Sequence, residues 1–426
     1  MGVGLLKNIA IFTAAASLLI TGSLPASAEA SRSYLEHQLI KLPSGTFDRE
    51  EADAMTSRLF RMYPNLLEGL IYNKIHIKLT NGPITEEPEM AAFKGKTPRG
   101  WEGTGKSWDD IPGSGGNPVL VRIGYSERGK GHGSYNLELH ETMHAVDRYL
   151  FHEVSTSEKF RKLWEEEAGR LYYGDGYIDS YPEEYFAEAA CMMFASEETR
   201  TAAEQKLPET YSFLESLFRE YVPSLPAPIK EIEQHWAKSA IERLIGLQIL
   251  TGLPGGKILP SSPVTREQYV KILLIASGGS PSQANGPDRS AFSDVPATRW
   301  SSTYINEAVN KGWVLPGEYD DARFLPGRTL TRLEMAVMAA RALRLQENVN
   351  ALASFPDSSV IPVELQGAAG AAVAAGLLKG LPGGKFGPDA EVTRAQAAAV
   401  TANVLASQAQ IPVPIDNQGS AAIDFK

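Results

Sequence analysis

The sequence contains 426 residues, 43% of them hydrophobic, and carries a formal net charge of −10 at pH 7. This length and apolar content exclude an intrinsically disordered chain and are typical of roughly two to four folded domains. The acidic balance, without basic clusters, argues against a nucleic-acid-binding protein. The single cysteine, Cys191, excludes an internal disulfide.

Residues 1–28 have the features of a secretory signal peptide. Lys7 precedes an apolar run at 9–20, and small residues at 25–28 form a cleavage pattern before Glu29. A membrane anchor is the alternative, but the run is short and interrupted by small residues. We therefore expect an exported protein that keeps no membrane segment once the signal is removed.

The segment "PVLVRIGYS" at 118–126 alternates apolar and polar residues. This period of two predicts a β-strand. We expect the strand to lie at the edge of a sheet beside the helix that follows, where an extended peptide can pair with it.

The segment "NLELHETMHAVDRYL" at 136–150 predicts a helix with two histidines four residues apart. Positions four apart share a helical face, so His140 and His144 can both direct an imidazole nitrogen towards one zinc ion. Glu141 then lies beside the metal, where a carboxylate can accept a proton from an activated water. The alternative is an ordinary core helix with two satisfied histidines.

A catalytic zinc site needs a third protein ligand and one open position. The metzincin pattern would place glycine and histidine at 147 and 150, but this chain has Asp147 and Leu150. The predicted helix at 180–194 offers Glu184 and Glu188 on one face. We assign Glu184 as the ligand and Glu188 as the acceptor that orients a ligand imidazole. A solvated charged face is the alternative.

"HETMHAVD" at 140–147 followed by "EYFAEA" at 184–189 resembles the zinc-binding arrangement of anthrax lethal factor and its relatives. Four segments resemble more closely the Pro-Pro endopeptidase family, whose members are secreted zinc peptidases that cut between two consecutive prolines. They are "WEGTGKSWDDIPG" at 101–113, "NLELHETMHAVD" at 136–147, "YPEEYFAEA" at 181–189 and "ETYSFLESL" at 209–217. The similarity spans nearly all of residues 35–220. It implies an α+β, zincin-like catalytic domain that is mainly helical, with a small sheet.

The resemblance implies the catalytic residues position by position. His140, His144 and Glu184 would hold one Zn²⁺ per catalytic domain, with Glu141 as the general base. Tyr177 matches the tyrosine whose hydroxyl stabilises the developing oxyanion. An ordinary packed tyrosine is the alternative at this last position.

The resemblance also implies a substrate pocket. A Pro-Pro bond has no amide hydrogen and a restricted backbone, so a site for it should contact ring faces and a bent chain. Arg99, Trp101 and Glu183 match positions that shape the pocket around the scissile prolines. A core tryptophan and a surface ion pair are the alternative.

Proline-rich "VPSLPAPI" at 222–229 predicts a linker between the peptidase unit, residues 29–221, and a repetitive remainder. "LTGLPGGKILPSSPVTREQ" from Leu250 and "LKGLPGGKFGPDAEVTRAQ" from Leu378 agree at 12 of 19 positions, and "RFLPGRTLTRLEM" from Arg323 is a weaker copy. Each copy predicts a helix, a Gly/Pro loop and a second helix, so we expect three stacked units. The predicted segments are 230–280, 290–346 and 352–407, followed by a tail at 408–426.

The second helix of each unit begins with the same chemistry. Each start is a capping box, in which a threonine and the residue three later cap each other's backbone. The pairs are Thr265 with Gln268, Thr331 with Glu334, and Thr393 with Gln396. The next residue is Arg266, Arg332 or Arg394, and a cation in the first turn opposes the helix dipole. This indicates an anionic ligand, which a helix N-terminus also attracts; solvated arginines are the alternative.

With "VTREQ", "LTRLE" and "VTRAQ", the units resemble S-layer homology repeats over roughly 230–406. The resemblance implies an all-α, three-fold bundle whose grooves hold secondary cell-wall polysaccharide through Arg266, Arg332 and Arg394. Such repeats attach proteins to the Gram-positive surface.

The sequence patterns and the two resemblances together imply a secreted zinc metalloendopeptidase attached to the Gram-positive cell wall or S-layer, which hydrolyses Pro-Pro bonds in bacterial surface proteins. Two alternatives stay open. One is a lethal-factor-like zinc peptidase without strict Pro-Pro specificity. The other is a wall-anchored binding protein with a vestigial metal site.

Overall fold

The computed structural model describes residues 32–99, 102–171, 181–225, 227–253, 255–279 and 291–409. The predictions for the signal peptide, Trp101, Tyr177 and most of the C-terminal tail fall outside these residues. Helices dominate the described chain, and a small mixed sheet lies in its N-terminal part, as the sequence predicts. None of the described helices is both long and apolar enough to cross a membrane.

Eight α-helices and four strands precede the proline-rich segment in the described residues. In chain order they are α1 (Arg32–Leu39), β1 (Ile40–Lys41), α2 (Arg49–Leu59), α3 (Pro64–Tyr72), β2 (Ile77–Thr80), β3 (Gly113–Ser114), β4 (Val119–Arg122), α4 (Leu137–Ala145), α5 (Glu158–Glu167), α6 (Pro182–Ala195), α7 (Glu197–Lys206) and α8 (Pro208–Glu220). The Asn136 side chain caps α4 by accepting a hydrogen bond from the Leu139 amide. Proline occupies the first position of α3, α6 and α8, where its missing N–H costs nothing.

The sheet has the strand order β1-β2-β4-β3. β2 pairs in parallel with β1 and β4, whereas β3 pairs antiparallel with β4. The segment predicted as a strand therefore forms β4, but the prediction that it lies at the edge is wrong. Gly113 and Ser114 of β3 pair with its outer side, opposite Val121 and Leu120, and so make β3 the edge strand beside α4.

The apolar faces of α4 and α6 meet in the core of this unit. Leu139 and Met143 of α4 and Tyr185 and Ala189 of α6 are all buried. Burial of each large apolar side chain stabilises the fold by about 1.5–3 kcal/mol. This packing fixes the two helices that carry the predicted metal ligands.

Six further helices follow the proline-rich segment in the described residues. They are α9 (Lys238–Gly246), α10 (Arg266–Ala276), α11 (Ser302–Asn310), α12 (Arg332–Ala342), α13 (Val363–Ala374) and α14 (Arg394–Ala409). The capping boxes predicted at Thr265 and Thr331 are confirmed. At Thr393 the two reciprocal hydrogen bonds with Gln396 are 2.9 and 3.3 Å long.

The three copies join through a closed ring of backbone hydrogen bonds. The Leu330 amide donates to the Val264 carbonyl, Val392 donates to Leu330, and Val264 donates to Val392, at 2.9–3.0 Å. Each copy thus contacts the next, and the third contacts the first.

Candidate metal centre

Three potential metal ligands converge where α4 meets α6. The Nε2 atoms of His140 and His144 are 3.2 Å apart. An Oε2 atom from Glu184, in the first turn of α6, lies 3.3 and 3.4 Å from them. The four-residue spacing on α4 accounts for the two imidazoles, and the helix contact supplies the carboxylate.

Glu188 lies behind this cluster, one turn after Glu184. Its Oε2 atom is 2.8 Å from His140 Nδ1, and its Oε1 atom accepts a hydrogen bond of 2.8 Å from the Tyr135 amide. The Glu188 side chain is fully buried. A carboxylate on Nδ1 favours the tautomer with the proton there and leaves the Nε2 lone pair directed at the cluster.

The charges in the cluster shift the pKa values of its members in opposite directions. Burial alone would lower the pKa of His140, but hydrogen bonds to Glu184 and Glu188 raise it well above its ordinary value. Burial alone would raise the pKa of Glu184, but the two histidines hold it well below its ordinary value. These shifts favour an anionic Glu184 beside a protonated His140 when no cation lies between them.

Glu141 projects between α4 and the edge strand. Burial raises the pKa of its carboxyl, an effect that His140 and His144 oppose, and the Gly115 amide bonds to the carboxylate. A side chain at 113 or 115 would collide with α4: an added Cβ at Gly113 would lie 2.8 Å from Glu141 Cγ. An added Cβ at Gly115 would overlap His144 Cβ. These glycines let the strand approach the helix closely.

The donor set fits zinc. Two imidazoles and one carboxylate, with an open fourth position, are the ligands of many catalytic zinc sites. All three donor atoms lie within 4.8 Å of one another, and Glu188 supplies the orienting partner such sites usually have. A cleft of about 870 Å³ opens in front of them.

Two of the three predicted pocket residues meet at the rim of this cleft. Arg99 Nη2 lies 2.8 Å from Glu183 Oε1, and the guanidinium carbon is 4.3 Å from the centre of the Tyr181 ring. Trp101 and Tyr177 lie outside the described residues.

Sequence reasoning missed three contributors to the site, namely Gly113, Gly115 and the Tyr135 amide. The cluster of glycines in "GSGG" at 113–116 was the available signal for the first two, because glycine marks close backbone approach. The Tyr135 amide carries no signal, because a backbone donor is the same in every residue except proline.

The three arginines predicted to bind polysaccharide lie apart from the cleft, at the starts of α10, α12 and α14, and are buried. Arg332 Nε donates to the Phe386 carbonyl and Arg394 Nε to the Ile258 carbonyl, both at 2.7 Å. Arg266 bonds to the Phe324 carbonyl and also forms an ion pair with Glu334. Each arginine thus holds the loop of the next repeat, which explains a cation in the first turn without an external anion. Their role in polysaccharide binding stays a prediction.

Two protein-family descriptions match the chain. Residues 27–217 match "Anthrax toxin lethal factor, N- and C-terminal domain". Residues 228–270, 291–336 and 355–398 each match "S-layer homology domain".

Individual relatives each match a little under half of the chain. The Pro-Pro endopeptidase of Paenibacillus alvei is 47% identical over 203 residues, which cover 48% of this chain and 94% of that protein. The Pro-Pro endopeptidase of Clostridioides difficile is 41% identical over 207 residues, covering 47% of this chain and 94% of that protein. A solved structure of the Paenibacillus alvei enzyme is 50% identical, covers 43% of this chain and all of that one, and has a TM-score of 0.42.

Proposed function

Because the chain belongs to the Pro-Pro endopeptidase family, we propose that it is a cell-surface zinc metalloendopeptidase that hydrolyses the bond between two consecutive prolines. The observation that carries the proposal is the convergence of His140, His144 and Glu184 on one point. Glu188 supports it with a hydrogen bond to His140 Nδ1. The proposed substrates are Pro-Pro-containing proteins of the bacterial surface.

The proposed chemistry assigns separate tasks to the residues of the cleft. His140, His144 and Glu184 would hold zinc, which supplies Lewis-acid polarisation of the scissile carbonyl and of the attacking water. Glu141 accepts the proton of that water and delivers it to the proline nitrogen that leaves. Its half-buried position and raised pKa suit a group that must both take and return a proton.

Substrate contacts are proposed at the rim. The Arg99–Glu183 pair closes one side of the cleft, and its stacking on Tyr181 holds the guanidinium in place. Trp101 and Tyr177 complete the proposal as a platform for proline rings and as the oxyanion donor, respectively.

The repeats are proposed to attach the enzyme to the cell wall. Their S-layer homology matches and the closed hydrogen-bond ring of Val264, Leu330 and Val392 support a three-fold bundle that binds secondary cell-wall polysaccharide. We expect purified wall polysaccharide to bind the full chain, and binding to weaken when Arg266, Arg332 and Arg394 are all replaced by glutamine. Circular dichroism must show that the variant is folded, because the same arginines hold neighbouring loops.

Mass spectrometry of a peptide library with a varied central residue pair tests the peptidase proposal. The zinc-loaded full chain should cut only between two prolines. Glu141→Gln should retain zinc but lose roughly 10²–10⁴-fold in turnover, since a general base contributes that much.

The other outcomes identify the alternatives. Cleavage at many residue pairs would indicate a lethal-factor-like peptidase without strict specificity. Zinc binding without any cleavage would indicate a binding protein with a vestigial site. Turnover unchanged in Glu141→Gln would contradict the role of Glu141.

A further inference from the structure

The three repeats provide an internal comparison for the first of them. α9, α11 and α13 end in the same turn, in which the Ile249, Trp313 and Leu377 amides donate to the Leu244, Ala308 and Ala372 carbonyls, respectively. Matching these turns places Gly246 at the position of Asn310 and Ala374. It also places Arg243 at the position of Glu307 and Ala371.

Position 246 differs from its two equivalents in its surroundings. Asn310 and Ala374 are exposed, whereas Gly246 is buried. The residue that covers it is Tyr72, at the end of α3 in the peptidase unit: an added Cβ at Gly246 would overlap the Tyr72 ring. Only glycine leaves room for the Tyr72 ring. This explains why the first repeat has glycine at a position where the other two repeats have larger residues.

Arg243, at the second of these positions, also contacts α3. Arg243 Nη2 lies 2.5 Å from Glu68 Oε1, one turn before Tyr72 on α3, and the Glu68 side chain is only 3% exposed. The Tyr72 hydroxyl also donates a hydrogen bond of 3.4 Å to the Arg243 carbonyl. A carboxylate this deeply buried requires a cation, and the cation comes from across the unit boundary.

Apolar packing continues across the same boundary. Ile241, Leu244 and Leu247 of the first repeat are fully buried in one continuous hydrophobic cluster with Leu66 and Leu70 of α3. The cluster is typical of a shared core rather than of two units that touch at their surfaces.

From these contacts we infer that the first repeat is docked rigidly on the peptidase unit through an α3–α9 interface, made by Glu68 and Tyr72 with Arg243 and Gly246. The two units are then joined at a fixed junction rather than by a flexible tether. The catalytic cleft consequently keeps one orientation relative to the repeats. The inference concerns the two units themselves and does not depend on the proposed peptidase activity.

Cutting the junction tests the interface. A recognition site for a sequence-specific protease is inserted after Val222, an exposed residue, and the full chain is cut and passed through a gel-filtration column at micromolar concentration. We expect the two halves to co-elute. Separation of the halves would overturn the inference.

Variants of the interface make the test specific. Gly246→Leu should separate the cut halves, whereas Asn310→Leu and Ala374→Leu, at the equivalent exposed positions, should leave them together. Co-elution with Gly246→Leu would also overturn the inference.

Charge exchange covers the case in which Gly246→Leu fails to fold. Glu68→Arg and Arg243→Glu should each weaken co-elution, and the double variant should restore it. Absence of rescue in a folded double variant would count against the Glu68–Arg243 contact and so against the interface.

Discussion

At the scale of single residues, we propose that Glu188 controls metal affinity without binding the metal itself. It is buried and accepts from both His140 and the Tyr135 amide. Replacing Glu188 with alanine removes the partner that orients His140, and we expect zinc affinity to fall about 10–100-fold. Competition with a chelator measures this, and Glu198→Ala, on the exposed side of α7, is the control. Equal affinities in the two variants would refute the orienting role.

Gln248 gives a second prediction at this scale. It adopts a left-handed backbone with φ of 63°, at the turn where the other repeats have Gly312 and Gly376, each with φ of 71°. A Cβ in this conformation costs roughly 1–2 kcal/mol. Glycine avoids this cost, but it loses more conformational freedom on folding, which offsets part of the gain in stability. Gln248→Gly should therefore raise the free energy of unfolding by about 0.5–1 kcal/mol.

The reverse change, Gly312→Gln, is the matched control and should lower the free energy of unfolding. Chemical denaturation of the three proteins measures both effects. Stabilisation by both substitutions, or by neither, would show that backbone strain does not decide stability at this turn.

At the scale of elements, we expect the close contact between α4 and the loop that follows β3 to determine whether the site can form. An added Cβ at Gly115 would overlap His144 Cβ and lie 2.7 Å from the Glu141 carbonyl oxygen, so the helix itself would have to move. Overpacking of this kind costs roughly 1–3 kcal/mol. Gly115→Ala should therefore reduce both zinc affinity and peptide turnover.

Gly116 is the neighbouring control for this prediction. An added Cβ there would meet nothing closer than the Pro118 carbonyl oxygen at 3.5 Å, which is an ordinary contact. Gly116→Ala should keep near-normal zinc content by metal analysis and near-normal turnover with a Pro-Pro peptide. A loss as large as that of Gly115→Ala would indicate a general need for glycine in this loop.

At the scale of the whole molecule, features that depend on local residue spacing can be predicted from the sequence, whereas contacts between residues far apart in the chain cannot. The i, i+4 spacing was enough to place His140 and His144 on one face of α4. The partner of Arg332, the Phe386 carbonyl, lies in the next repeat, so the first-turn arginine looked unfavourable from its own helix alone. The Tyr72–Gly246 contact was missed for the same reason, because neither residue indicates a partner so distant in the chain.

If the junction between the two units is rigid, zinc binding to the peptidase unit should also stabilise the repeats against unfolding. A ligand that binds only the folded state stabilises it by about 2.7 kcal/mol at 100 times its dissociation constant. If the core shared by Leu66, Leu70, Ile241 and Leu244 couples the two units, the repeats must unfold together with the peptidase unit. Zinc should then shift a single calorimetric transition of the full chain to higher temperature.

Disrupting the junction should replace the single calorimetric unfolding transition with two separate ones. With Gly246→Leu we expect two transitions, of which zinc raises only one, whereas Ala374→Leu should keep the single transition of the parent chain. Two transitions in the parent chain, with only one responding to zinc, would mean that the shared core does not couple the units. A complete lack of response would instead indicate failure of the zinc site, because coupling transmits only the stabilisation that the ligand provides.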